Sequence, residues 1–227
     1  MRTYLRPLID KLENTSNPER AAGARKYVKD QFEFLGTGSQ ERRDILKSFI
    51  DEYGPPDPGR LGEFAGYLWD MPKREYPYCA IDFLHKYVKK YRKEDIQWIE
   101  GLIIQKSWWD TVDGLASWIC GSYFSQFPEM IKPVTSAWMD SGNRWLQRSA
   151  LLFQLKYKGK TDTELLSEYI IRLSGHTDFF IRKAIGWILR EYSKTDPSWV
   201  AEFVAGHSLS GLSYREATKY IPDTDKK

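Results

Sequence analysis

Cysteine is scarce: the 227 residues hold two, Cys79 and Cys120. Neither belongs to a Cys-x-x-Cys, and both stand among apolar neighbours. This excludes a disulfide framework and predicts buried free thiols in a reducing compartment. Histidine is no richer, and His85, His176 and His207 are scattered. No His/Cys ligand cluster forms, so no metal or redox cofactor is expected. Long apolar runs are missing too. No stretch approaches the roughly 18 residues of a membrane span, and Met1-Arg2-Thr3-Tyr4-Leu5-Arg6-Pro7 lacks the apolar segment of a secretory leader. A cytoplasmic chain without membrane contact is the expectation. Period-two alternation of β-branched residues is absent, which argues against strands. An excess of either charge is nearly absent: the net charge is +3. That is too small to indicate nucleic acid by itself, though it permits a local basic face.

Aromatic residues are plentiful. They make up 15% of the chain, with nine tryptophans and fourteen tyrosines. Packing seldom needs so many, and a stacking or cation-binding surface does. Hydrophobic residues at 41% and charged residues at 29% describe a globular protein with a usable core.

Helix signals run the whole length. A first helix is predicted from Thr3 to Asn14. Asn17-Pro18-Glu19 reads as N-cap, N1 proline and acidic first turn, opening a helix that runs through Tyr27 to Leu35 and stops at Gly36. A third opens at Ser39. The rigid connector Gly54-Pro55-Pro56-Asp57-Pro58-Gly59 follows. Further helices are predicted over 60–70, 74–91, 93–105, 108–126, 128–139, 144–157, 161–173, 178–193, 196–205 and 212–220. The tail 221–227 reads as frayed.

Internal repetition sets the expected architecture. Trp145-Leu146-Gln147-Arg148-Ser149-Ala150 reappears as Phe179-Phe180-Ile181-Arg182-Lys183-Ala184, and again as Leu212-Ser213-Tyr214-Arg215-Glu216-Ala217. Carried backwards, the register passes through Asp113, Ala80 and Ile45, at intervals of 35, 33, 37, 34 and 33. Two-helix units of that length, stacked about six times, make an all-α HEAT-like solenoid with a concave face. Residues 1–227 are expected to form one such domain.

One stretch stands apart, Lys106-Ser107-Trp108-Trp109-Asp110-Thr111-Val112-Asp113. On a helix Trp109 and Asp113 share a face. An aromatic face beside a carboxylate suits a cation, through both the ring quadrupole and the charge. The same residues also fit a capped helix start with core tryptophans. In the repeat register Asp113 occupies the place of Ala80, Ala150, Ala184 and Ala217. A carboxylate there costs stability unless it is paired or used, with Arg148 one repeat away as a candidate partner. Trp187 follows Gly186, a helix-interior glycine that costs about 1 kcal/mol against alanine. Close approach by another backbone or a ligand would justify it, while core packing would account for Trp187 equally well. Lys156, Lys158, Arg182, Lys183 and Arg190 fall in two basic clusters, each of which is also compatible with a solvated helix face.

These blocks, together with Phe153-Gln154-Leu155-Lys156-Tyr157-Lys158 and Lys183-Ala184-Ile185-Gly186-Trp187-Ile188-Leu189-Arg190-Glu191-Tyr192, resemble the AlkD DNA glycosylases of the bacterial DNA alkylation repair family. Tyr27, Phe34-Leu35-Gly36, Glu41-Arg42-Arg43 and Leu68-Trp69-Asp70-Met71-Pro72 extend the resemblance over nearly the whole chain. It implies HEAT-like repeats with a concave DNA-binding face and excision of cationic N3- and N7-alkylated purines from duplex DNA, without base flipping. It also implies a catalytic acid position at Asp113 flanked by Trp109 and Trp187, and DNA contacts from Arg148 and Tyr27.

The implied chemistry suits these residues. Alkylation at N3 or N7 makes the purine cationic and already a good leaving group. Bond breaking moves positive charge onto the sugar, where a carboxylate stabilises it and can position water. The expected partner is duplex DNA carrying alkylated purines, met by a monomer. A helical-repeat scaffold that binds DNA or protein without catalysis is the alternative.

Overall fold

The computed structural model describes residues 1–221, so the part of the expected frayed tail at 222–227 lies outside them. The described residues are all-α, and the one strand-like feature among them is an isolated parallel bridge between Glu33 and Lys73. None of their helices is long and apolar enough to cross a membrane. By its internal packing the chain divides into two compact units at Thr111/Val112.

The first unit carries α1 (Arg2–Asn14), α2 (Pro18–Tyr27), α3 (Ser39–Tyr53), α4 (Leu61–Asp70), α5 (Glu75–Lys86) and α6 (Ile96–Ile104). Its core is built on Leu5, Leu8, Phe49, Phe64 and Phe83, with Phe64 and Phe83 stacked at 3.9 Å. Burying each such side chain contributes about 1.5–3 kcal/mol. The Asn17 cap and Pro18 start of α2 are as the sequence predicts. Its end is not: α2 stops at Tyr27 rather than Leu35. Lys29 and Asp30 adopt left-handed φ values of 60° and 58°, and the chain leaves the helix there. The reason is packing. No residue of α2 is buried, so no apolar face rewards its continuation, whereas Val28, Phe34 and Leu35 are buried once the chain turns. Glu75 secures the turned segment, accepting hydrogen bonds from the backbone N–H of Leu35 (2.8 Å) and Gly36 (2.7 Å).

α7 (Trp109–Gly114) spans the division. It continues through a π-helical turn, Leu115–Cys120, into α8 (Gly121–Gln126), where the sequence predicts one regular helix. The second unit adds α9 (Ile131–Asp140), α10 (Arg144–Leu152), α11 (Thr163–Leu173), α12 (Phe179–Tyr192), α13 (Pro197–Gly206) and α14 (Gly211–Ala217). From α10 onward every one of these helices starts on a polar cap whose side chain accepts a backbone N–H: Asn143, Asp162, Asp178, Asp196 and Ser210. Each such cap contributes about 1 kcal/mol. α10 ends at Leu152, short of the predicted end at 157. Cys79 and Cys120 are both free and buried, and burial pushes the Cys79 thiol up to about 12.

Candidate active site

The Lys106–Asp113 stretch is held from its start. Lys106 has a left-handed φ of 48°. Its ammonium turns back to donate to the carbonyls of Trp69, Asp70 and Met71 at 2.7, 3.0 and 3.0 Å. It thereby caps the C-terminus of α4, where helix carbonyls lack partners. Burial lowers its pKa. Arg74, just before α5 and 1% exposed at its side chain, supplies the second anchor. Its guanidinium donates to both oxygens of Asp110 (2.9 and 2.7 Å), to the Lys106 carbonyl (2.8 Å) and to the Thr111 hydroxyl (2.8 Å). Tyr78 donates its hydroxyl to Asp110 at 2.5 Å. Burial, then the Asp110 charge, raises the Tyr78 pKa, so it donates across the whole physiological range. Asp110 is thus a structural carboxylate. Neither Arg74 nor Tyr78 stands out in the sequence; their one available signal is the spacing to Asp110, 36 and 32 residues, close to the repeat length.

Trp109 opens α7 and meets Tyr27 edge to face, with ring centroids 5.0 Å apart. Tyr27 is 70% exposed. An exposed ring braced by a half-buried one is a ready surface for stacking or for a cation.

In the second unit the carboxylate of Asp113 is gripped by Arg148. Nε donates to Oδ1 at 2.7 Å and Nη2 to Oδ2 at 2.9 Å, while Nη1 donates to the carbonyl of Phe180. The Arg148 side chain is 4% exposed and that of Asp113 16%. The partnership suggested by the sequence is present, but for a different geometric reason. Asp113 and Arg148 are each the fifth residue of their helices, as is Lys183 in α12. The helices therefore set Asp113 level with Arg148, and the 37-residue interval that matched it to Ala150 is two too long. Asp113 does not replace an interior alanine; it stands in a column of charged residues. The repeated motif likewise equates Arg148 with Arg182, whereas the helices set Arg148 level with Lys183. Trp145 is buried, and it is Arg144 whose guanidinium lies over the Trp145 ring at 5.2 Å.

α12 carries the rest. Lys183, Trp187 and Arg190 follow one another on one stripe of the helix, all partly exposed. Glu216 of α14 bridges the two cations, accepting from Lys183 at 2.5 Å and from Arg190. The Lys183 hydrogen bond, working against burial and joined by both positive charges, holds this carboxyl below its usual range. Gly186 fulfils the close-approach expectation. A Cβ there would lie 2.5 Å from the Glu216 Cβ and 2.8 Å from the Ser213 carbonyl oxygen. Arg182 faces elsewhere: its carbonyl accepts from the Ser213 hydroxyl at 2.8 Å, and its Nε is buried without a hydrogen-bond partner among the described residues. Lys156 is exposed on the turn after α10. Lys158, at a left-handed φ of 53°, lines a separate cleft of about 350 Å³ with Thr161, Tyr192 and Lys194. Among the described residues no group of three or more His, Cys, Asp or Glu is placed to hold a metal ion.

The family described as DNA alkylation repair enzyme matches residues 8–221. The chain belongs to the DNA alkylation repair enzyme family. One similar solved structure is a predicted DNA alkylation repair enzyme from Enterococcus faecalis. The two are 35% identical over 92% of this chain and 98% of that one, with a TM-score of 0.86. AlkD2 from Streptococcus mutans shares the fold at 18% identity and a TM-score of 0.62, over 81% of this chain and 90% of that one. Among curated proteins none matches. As a family member the protein acts in repair of alkylated DNA, and DNA is its partner.

Proposed function

We propose that the protein is a monofunctional DNA glycosylase for cationic N3- and N7-alkylated purines, including 3-methyladenine and 7-methylguanine, with Asp113 as its catalytic carboxylate. The observation that carries this reading is the Asp113–Arg148 pair in a member of an alkylation repair family. A two-point grip fixes the plane of the carboxylate, so no reorganisation is needed when positive charge develops on the sugar. The alkylated base leaves as a neutral purine and needs no general acid. The oxocarbenium at C1′ is stabilised by Asp113, which positions and deprotonates the attacking water. Trp109 and Trp187 offer aromatic faces to the sugar, each contributing about 0.5–2 kcal/mol to a passing cation. Tyr27, Lys183 and Arg190 meet the strand around the lesion, with Lys156, Lys158 and Arg182 in the wider basic surface. Arg148, as it stands, orients Asp113, and any phosphate contact it makes comes on top of that role. Recognition by charge needs no pocket for an extruded base. It predicts poor excision of uncharged lesions such as uracil.

The same buried pair would also serve a structural carboxylate in a DNA-binding scaffold without catalysis, and one experiment separates the two. Asp113→Asn should cut release of 7-methylguanine from methylated duplex at least about tenfold, equivalent to about 1.4 kcal/mol in the barrier. It also leaves Arg148 buried beside a neutral partner, so stability should fall. The double variant Asp113→Asn with Arg148→Gln removes both charges, and should regain stability without regaining release. Release that recovers together with stability would refute the catalytic role. A wild-type protein that binds duplex but frees no alkylated base would establish the scaffold.

A further inference from the structure

Glu216 stands where an acidic residue is least expected if the α12 stripe meets DNA. It joins Lys183 and Arg190, two turns apart on one helix, with Trp187 between them on the same stripe. Its Cβ is packed close against Gly186, which roots the side chain beside the two cations while leaving the carboxylate free to rotate away. Its carboxyl is held ionised by the hydrogen bond and the two positive charges. A carboxylate accepting from an ammonium and a guanidinium at once offers two acceptor oxygens and one negative charge, as one backbone phosphate does.

From this we infer that Glu216 is an internal phosphate surrogate and a specificity-determining residue. It occupies the seat that Lys183 and Arg190 offer to a DNA phosphate, and undamaged duplex must compete with it. This rests on the reading that the α12 stripe faces duplex DNA. The consequence is weak binding to ordinary DNA, with those two cations in place around Trp187 before any DNA arrives. A phosphate that displaces the carboxylate makes two charge-assisted hydrogen bonds and releases counterions. One that fails to displace it meets a cluster whose net charge has fallen from +2 to +1, and is attracted less.

Affinity for an unmodified 20-base-pair duplex, measured across salt concentrations, tests this. Glu216→Ala keeps the Cβ that packs on Gly186, and melting temperature checks that α14 stays docked. The variant should bind undamaged duplex at least about fivefold more tightly at about 0.1 M salt. Its log–log salt slope should steepen by about 0.9 for each additional phosphate that is neutralised. Adding Lys183→Ala and Arg190→Ala should abolish both changes. Unchanged affinity and slope in Glu216→Ala would overturn the inference, and so would tighter binding that survives loss of the two cations. Glu216→Gln, which retains the acceptor oxygen but not the charge, should show the same direction with a smaller effect; if it weakens binding, the inference fails. These outcomes do not involve base release. The inference can therefore fall while the glycosylase reading stands, whereas a wild type with no duplex affinity would end both.

Discussion

Two aspartates three residues apart have opposite fates because of their surroundings. Asp110 accepts from Arg74 twice and from Tyr78, and its side chain is 6% exposed. Asp113 accepts both hydrogen bonds of the Arg148 fork and keeps more of its surface in solvent. Arg74→Ala should therefore be a stability mutation. It would strand a buried carboxylate and free the Lys106 carbonyl, and urea unfolding should show a loss of about 3–5 kcal/mol. Base release by the fraction that remains folded should change far less than in Asp113→Asn. In the sequence Asp113 could be picked out as a carboxylate beside tryptophans. That it faces an arginine one repeat on was legible only as a candidate, because a register error of two residues looks harmless in a motif and is large on a helix.

Elements in this protein meet by backbone approach as well as by side chains. α12 packs on α14 through Gly186, and the π turn delivers Gly121, where a Cβ would sit 2.6 Å from the Phe153 carbonyl oxygen. Substituting Gly186 by Ala should lower stability by about 1–3 kcal/mol despite the better helix propensity, because overpacking outweighs it. At Gly101, also in a helix interior, a Cβ would meet nothing within 4 Å. Gly101→Ala should instead stabilise by about 0.4–1 kcal/mol. Melting curves of the two variants should shift in opposite directions. The Asn17 cap was readable in advance for the plainest of reasons: an asparagine before proline satisfies a local backbone N–H and needs no distant partner. The early end of α2 and the π turn were not readable, since both are settled by what lies across from them.

For the whole molecule, acid should act partly through Glu216. Its folded pKa is lowered, so its contribution is fully present above the ordinary carboxyl value near 4.5 and is lost as pH falls through the lower folded value. Urea midpoints measured between about pH 6 and about pH 3 should decline more shallowly in Glu216→Gln than in wild type; an identical acid limb would mean that the bridge adds nothing to stability. At this scale the family was the most legible feature, because tryptophan-rich blocks in fixed order over nearly the full length survive where single contacts do not. The division at Thr111/Val112 left no linker in the sequence, since it falls inside α7.

The sequence by itself determined the all-α class, the run of helices with the Asn17 cap, the two free buried thiols and the family. These depend on local hydrogen bonding, on periodicity and on composition, which are properties of neighbours along the chain. The tertiary structure alone decided that Lys106 caps α4, that Asp110 belongs to Arg74 and Asp113 to Arg148, and that Glu216 holds the two cations beside Trp187. Those partners lie between 26 and 37 residues apart. At such separations only the packing of one helix pair on the next selects which charge meets which.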